Sequence, residues 1–227
     1  MYNTFFKRFI DIFLSSIAIL VLSPLLIPVV IGLLFTGEHY VFYLQERIGY
    51  KNQKFNIFKF ATMLKDSPNL GTGLHTTKSD SRVLPLGRFL RKTKINELPQ
   101  LFNILFGSMS IVGPRPLVDK TFEPYSENVK KNIYNVKPGL TGIGSIVFRD
   151  EEEILSNSKI PLHEFYKNNI SPYKGDLELW YQENLSFYTD LMIIIITAYT
   201  IFIPNNNLIN LVFKDLPKNN NLWKELF

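Results

Sequence analysis

The sequence predicts a mainly helical α+β fold, with an N-terminal re-entrant (broken) membrane helix packed with a small cytosolic α/β domain and interfacial helices. Three observations predict it. Residues 12–36 carry no charge but are interrupted by Ser23, Pro24 and Pro28. Residues 40–60 alternate apolar and polar side chains around a Gly-Tyr-Lys-Asn turn. From residue 84 onward, short helical patterns alternate with proline and glycine turns. A chain of 227 residues, 46% hydrophobic and 20% charged, suits one compact domain with a real core and an attachment. The expected division is a membrane helix over 1–38, a globular domain over 39–204 and a tail over 205–227.

The uncharged run is long enough for the roughly 20 apolar residues that a bilayer core requires of a helix. Proline lacks an amide donor and its ring crowds the preceding turn, so Pro24 and Pro28 predict a kink or break. A serine beside the break can satisfy the freed carbonyl, which makes a bend tolerable in lipid. Lys7 and Arg8 precede the run, and Arg47, Lys51, Lys54 and Lys59 follow it. Basic flanks on both sides fit a helix that enters and leaves on one face better than one that spans. A cleaved signal is disfavoured, because the run is too long and lacks a small-x-small site.

Residues 40–60 read as a β-hairpin, 64–81 as a loop, and 84–92 as a short amphipathic helix. Residues 97–106 form a helical pattern with Pro99 in its first turn, which makes Asn96 an N-cap candidate. VGPRPL is read as an irregular turn and residues 121–135 as helical. KPGLTG is read as another turn, and GSIVFRDEEEIL as a strand-like run leading into a helix. The uncharged residues 191–203 are short for a span and fit a buried or interfacial helix. The tail carries Trp223 and Phe227, suited to lipid headgroups.

The net charge of +5 fits a surface facing anionic lipid or phosphorylated ligands. With no cysteine, disulfides and thiolate-bound metals are excluded. His39, His75 and His163 are far apart and form no zinc-spacing motif. A membrane-anchored nucleic-acid binder would need clustered basic residues with interleaved aromatics or a known module, and neither is present, so nucleic acid is not expected as a partner.

The most information-rich stretch is NELPQLFNILFGSMSIVGPRP at 96–116. It is preceded by KRFIDI at 7–12, QERIG at 45–49, FNIFKFATM at 55–63 and SDSRVLPLGRFLRKT at 79–93, and followed by KPGLTG at 137–142. With Ser23-Pro24 in the membrane segment, this ordered set resembles the bacterial sugar transferases, small monotopic polyprenyl-phosphate phosphoglycosyl transferases. The resemblance covers nearly the whole chain. It implies an enzyme at the cytosolic face of a bacterial inner membrane, with Mg²⁺ as cofactor. Such an enzyme moves a phosphosugar from a UDP-sugar to undecaprenyl phosphate and releases UMP. The product starts a glycoconjugate such as a capsule, an O-antigen or a glycoprotein glycan. Membrane lipid is the further partner, and a homodimer is plausible for an enzyme at a membrane surface.

Phosphoryl transfer needs a nucleophile, positive charge on the phosphate oxygens and usually a metal ion. In family members with an Asp-Glu pair, the aspartate attacks the β-phosphorus. Asn96 holds that position here, and Glu97 matches its partner and is the candidate metal ligand. Taken alone, the pair reads as a cap followed by a first-turn acid that complements the helix dipole. Arg115 between two prolines is aimed by a fixed backbone, and its planar fork suits phosphate. Arg91 and Lys59 are the other candidate phosphate-binding residues. Each also has an ordinary reading as an ion-pair or solvated charge. Ala61 stands where the family usually has an arginine. Asp80 and Arg82 read first as a structural salt bridge. Gln45, Arg47 and Gly49 read as a structural turn, and Lys137, Pro138 and Gly139 as a tight turn near the substrate.

An amide is a far weaker nucleophile than a carboxylate and brings no charge to Mg²⁺. Four readings of Asn96 are therefore open: an engineered Asp-to-Asn change, a natural branch whose nucleophile is Glu97, direct attack by the acceptor phosphate, or a catalytically disabled protein that binds lipid phosphate. The acidic residues 150–153 are a candidate replacement acid, although a charge run is usually a solvated helix start. GSIVFRDEE also departs from the continuation common after KPGLTG, and the two departures together favour the divergent branch.

Overall fold

The computed structural model describes residues 2, 4–67, 80–151, 154, 161–203 and 207–218, and the chain divides into two compact units. One comprises residues 11–46 and 56–106, and the other residues 1–10, 47–55 and 107–227. The fold is mainly helical, with two small two-stranded sheets.

Helix α1, Thr4–Phe35, runs without interruption through both Pro24 and Pro28, where the sequence suggested two segments. The reason is local. Pro24 cannot donate to the carbonyl of Leu20, and the hydroxyl of Ser23 donates to that carbonyl instead, at 2.7 Å. Phe5–Phe35 is long and apolar enough to cross a membrane, and little of it is buried. Leu26, Val29 and Leu33, after the first proline, pack against Phe60 and Leu90.

The hairpin forms as expected. Strands β1, Phe42–Ile48, and β2, Lys54–Phe60, pair across a turn in which Lys51 and Asn52 adopt left-handed conformations. A bridge between Met63 and Val83 and a bond from the Leu84 amide to the Thr62 carbonyl lead into α2, Pro85–Lys92. This helix lies so close to the preceding strand end that a Cβ on Gly87 would stand 2.1 Å from the Thr62 carbonyl oxygen. Residues 95–97 form a 3₁₀ turn, and α3 follows at Gln100–Phe106. Residues 68–79 of the expected loop lie outside the described residues.

In the other unit, β3, Ser110–Val112, pairs in parallel with β4, Gly139–Thr141, with Ser110 opposite Gly139 and Val112 opposite Thr141. KPGLTG is therefore partly strand rather than only a turn. The next residues, Ile143–Val147, are helical rather than strand-like. Residues 121–135 are two short helices, α4 at Asp119–Phe122 and α5 at Glu127–Asn132. They are separated at Pro124, and Ser126 caps the second. With Ile143–Val147 as α6 and Leu162–Phe165 as α7, a π-helical stretch at Tyr166–Ile170 leads into α8, Ser171–Glu183.

Helix α9, Phe187–Phe202, buries Ile193 and Ile196 and exposes Tyr188, Leu191 and Phe202, as a 16-residue interfacial or core helix should. Its Asp190 is buried and accepts from Lys7, Tyr2 and Tyr181, which ties the first turn of α1 to α9. The core of this unit gathers Ile143, Phe148, Ile170, Leu177 and Trp180. Ile209 of α10, Leu208–Val212, joins it with Phe213 and Leu216, and Phe213 meets Trp180 edge-on at 5.3 Å. Trp223 and Phe227 lie outside the described residues.

Candidate active site

Residues 94–106 fold from local rules. Lys94 takes a left-handed conformation (φ 60°), and three-residue bonds then follow in series: Glu97 to Lys94, Leu98 to Ile95, Leu101 to Leu98 and Phe102 to Pro99. Asn96 is therefore not the N-cap that the proline spacing suggested. It sits inside the 3₁₀ turn, whose N-cap position is Lys94. The tight winding begins earlier than the proline signal, because Ile95 and Leu98 both turn toward an apolar seat. They pack in the cluster formed by Leu26, Val29, Leu33, Phe60 and Leu90. The turn that carries the two candidate catalytic residues is thus fastened to α1 by apolar contacts.

Within it, Asn96 is 8% exposed and its Oδ1 has no hydrogen-bond partner. A buried polar atom left unpaired costs on the order of 1–3 kcal/mol, so it marks either a strained place or one meant for a ligand. Glu97 is only half-buried. Of the two residues the acid is the more exposed.

Arg91 projects from the last turn of α2, half-buried, and its Nη1 lies 3.6 Å from the Met63 sulfur. Its charge also reaches Asp80. Asp80 and Arg82 form the structural pair that the sequence suggested: Arg82 donates from Nε at 2.9 Å and Nη2 at 2.6 Å to the two carboxylate oxygens, and from Nη1 to the Ser67 carbonyl. Hydrogen bonding from Arg82 holds the Asp80 carboxyl at about 2. Lys59, on β2, donates to Gln45 on β1 at 3.2 Å, so the hairpin brings these two together. Ala61 is fully buried and its amide bonds the Val41 carbonyl, a position in the core of the hairpin base.

Asn103 was missed by the sequence reading. It is buried on α3, accepts from the Phe58 amide and donates to the Asn56 carbonyl, both at 2.8 Å, and so pins α3 to the strand that carries Lys59. An amide inside the apolar run LFNILF was the available signal.

Arg115 belongs to the other unit. It is exposed between the buried Pro114 and Pro116. Just before it, Gly113 crosses the 137–139 segment at backbone distance: a Cβ there would stand 2.3 Å from the Lys137 carbonyl oxygen. Arg47 donates to the Pro116 carbonyl at 3.3 Å, in keeping with its structural reading. Of the acidic residues 150–153, Glu151 is engaged with the buried Lys174 at 2.5 Å, and residues 152 and 153 lie outside the described set.

Among the described residues no group of three or more His, Cys, Asp or Glu side chains forms a metal cage. Magnesium rarely uses one, because it usually takes one or two carboxylates and completes its shell with water and substrate phosphates. The Glu97 carboxylate and the Asn96 amide oxygen, which has no hydrogen-bond partner, are hard-oxygen donors of the kind that this ion takes.

The family model for bacterial sugar transferases matches residues 2–204. The chain belongs to the bacterial sugar transferase family. It is 33% identical over 204 residues to a UDP-glucose:undecaprenyl-phosphate glucose-1-phosphate transferase of Klebsiella pneumoniae, covering 88% of this chain and 41% of that protein. It is 30% identical over 210 residues to an undecaprenyl-phosphate galactose phosphotransferase of Salmonella typhimurium, covering 86% and 40%. It is also 33% identical over 202 residues to the exopolysaccharide production protein ExoY of Sinorhizobium fredii, covering 83% and 81%. The chain thus spans about two-fifths of the first two relatives and most of the third.

Proposed function

We propose that this sugar transferase moves a phosphosugar from a UDP-sugar to undecaprenyl phosphate, with Glu97 as nucleophile, and so begins a glycoconjugate. Family membership supports the reaction class, and relatives named for two different sugars leave the donor open. The observation that carries the role of Glu97 is the contrast within one turn, where the neutral Asn96 is buried and the adjacent acid is only half-buried.

In the proposed reaction a Glu97 oxygen bonds to the β-phosphorus of the donor. The bond from that phosphorus to the bridging oxygen breaks, and UMP leaves with the electron pair. An oxygen of undecaprenyl phosphate then bonds to the same phosphorus, and the carboxylate is released. Arg91 and Lys59, in the unit that carries Glu97, would offset the charge on the phosphate oxygens, and Arg115 of the other unit is proposed by itself as a phosphate-binding residue, its guanidinium fork suited to that role. Glu97 and the Asn96 oxygen would hold Mg²⁺, which when bound supplies charge stabilisation to the diphosphate.

We also propose that α1, although continuous, bends at Ser23-Pro24, where proline removes a backbone bond, and so enters and leaves the bilayer on one face, with the rest of the chain on the cytosolic side of the inner membrane. Because the chain has no cysteine, single cysteines at residues 2 and 40 give a clean labelling test. Labelling from the same side supports the re-entrant helix, and labelling from opposite sides refutes it. The reaction is tested by offering a panel of UDP-sugars with and without undecaprenyl phosphate and Mg²⁺. Lipid-dependent product with UMP release is expected. Retention of lipid without turnover of any donor would favour a disabled lipid-phosphate binder.

A further inference from the structure

The reading of Arg115 as a phosphate-binding residue leaves open what aims it. An exposed arginine has about 2 kcal/mol of rotamer entropy, and its direction begins with its backbone. The backbone from Gly113 to Leu117 is held at almost every polar group. The Gly113 amide donates to the Thr141 carbonyl at 2.9 Å, and the Pro114 carbonyl accepts from Gly139 at 2.8 Å. The Arg115 amide bonds to the Glu178 carboxyl. The Arg115 carbonyl accepts from the Tyr134 hydroxyl at 2.8 Å, and the same hydroxyl accepts from the Leu117 amide at 3.0 Å. Arg47 takes the Pro116 carbonyl, and the Ile48 amide takes that of Leu117.

Two of these partners are side chains that a packed core does not need. Tyr134 is 1% exposed and lies among Ile48, Leu117, Tyr125, Val129 and Ile133. A phenylalanine would fill that space equally well. Glu178 is 2% exposed on α8, next to Leu177 of the core, and its Oε2 has no partner. Its Oε1 occupies room left by Gly144, where a Cβ would stand 2.4 Å away. Burying a hydroxyl and a carboxyl is costly unless each meets a partner. Here the hydroxyl spends both of its side-chain bonds on the peptide groups on either side of Pro116, and the carboxyl meets the amide of Arg115.

We propose that Tyr134 and Glu178 are positioning residues that clamp the peptide groups on either side of Arg115 and thereby aim its guanidinium. The proposal rests on the phosphate-binding reading of Arg115. The clamp reaches the turn from two directions, from the segment after α5 and from α8, so neither residue alone defines it. Burial pushes the Glu178 carboxyl up to about 8 against the opposing effects of the Lys174 charge and the Arg115 amide. At neutral pH it is therefore mostly a neutral acid, which glutamine imitates.

The test uses the full chain in detergent, with Tyr134→Phe, Glu178→Gln and Glu178→Leu made alone and combined with Arg115→Ala. Tyr134→Phe and Glu178→Leu are each expected to lower kcat/KM by about tenfold, as small misplacements of a catalytic group do, and Glu178→Gln to retain most activity. In the Arg115→Ala background the same changes should have almost no further effect, because groups acting through one residue are not additive. Losses that multiply in full on that background would make the two residues merely structural and overturn the proposal, as would turnover within twofold of the original in both variants. A second readout does not depend on turnover. Between 113 and 117 only Gly113, Arg115 and Leu117 carry amide hydrogens, and their exchange should accelerate in Tyr134→Phe. Unchanged exchange overturns the clamp. Absence of UMP release from the unmodified chain would count against the proposed reaction instead, and the exchange result would still decide the clamp.

Discussion

The turn of Asn96 and Glu97 and the turn of Arg115 are both marked by proline, and both carry residues assigned here to phosphate chemistry. They are held by opposite means. The first is wound by local backbone bonds and seated by apolar contacts: Ile95 and Leu98 sink into a cluster of α1, β2 and α2, while the Oδ1 of Asn96 is buried without a partner. The second is held by long-range hydrogen bonds as well as by the buried Leu117, with both flanking prolines buried and the arginine between them exposed. Apolar seating is tolerant of direction and leaves polar atoms over for a ligand. Hydrogen-bond clamping fixes orientation, which matters most for a planar donor such as guanidinium. The difference teaches that the turn proposed to bear the nucleophile and the turn proposed to aim a guanidinium have different kinds of support.

The comparison can be broken at either end. The largest effect is expected from Gly113→Ala, which drives a Cβ into the Lys137 carbonyl and should cost about 3 kcal/mol or more in reversible denaturation. A loss under about 1 kcal/mol would mean that the crossing of the two segments is loose. Next comes Glu178→Gln. A carboxyl whose folded-state value is raised to about 8 favours the folded chain most at low pH. That contribution declines as pH rises from its unfolded value near 4.5 to about 8. Stability measured across that window should fall in the unmodified chain and stay flatter in Glu178→Gln. Parallel curves would show that the carboxyl is not held neutral.

At the other turn, Asn96→Asp places a carboxyl where the amide oxygen has no partner. Burial should raise its pKa, so the variant should match the unmodified chain below pH about 4 and lose about 2 kcal/mol by pH 7. A pH-independent difference would contradict the orphaned geometry. The smallest change is expected from Leu98→Ala. This residue is only partly buried, so its loss should cost about 1–2 kcal/mol, less than a full core truncation. If activity nevertheless falls much further than stability, the apolar seat also sets the position of Glu97.

The sequence made much of this legible, and what it missed has a pattern. The hairpin at 40–60, the helix at 84–92 and the apolar helix at 187–202 follow from periodicities of two and of about 3.6 residues, which are local. So does the role of Ser23, because the carbonyl that Pro24 leaves free lies one turn away. The N-cap expectation for Asn96 failed because a proline signal fixes the first turn of a helix but not the tighter winding ahead of it. KPGLTG concealed a strand because glycine and proline in that segment serve a close parallel crossing with β3, a contact invisible to local pattern. Asn103, Tyr134 and Glu178 were missed for the same reason. Their partners lie at Phe58, Arg115 and Leu117, and apart from the apolar run around Asn103 nothing in their own neighbourhoods distinguishes them from surface polar residues.

The central claim is that Glu97, rather than the residue at 96, carries the phosphosugar. The most direct measurement is UMP release together with intact-protein mass, using a panel of UDP-sugars with Mg²⁺ and undecaprenyl phosphate withheld. The unmodified chain and the Glu97→Gln and Asn96→Asp variants would be run side by side. The account predicts UMP from the unmodified chain, a mass increase equal to one phosphosugar, and loss of both in Glu97→Gln. A silent unmodified chain beside an active Asn96→Asp, or an adduct that persists in Glu97→Gln, would contradict it.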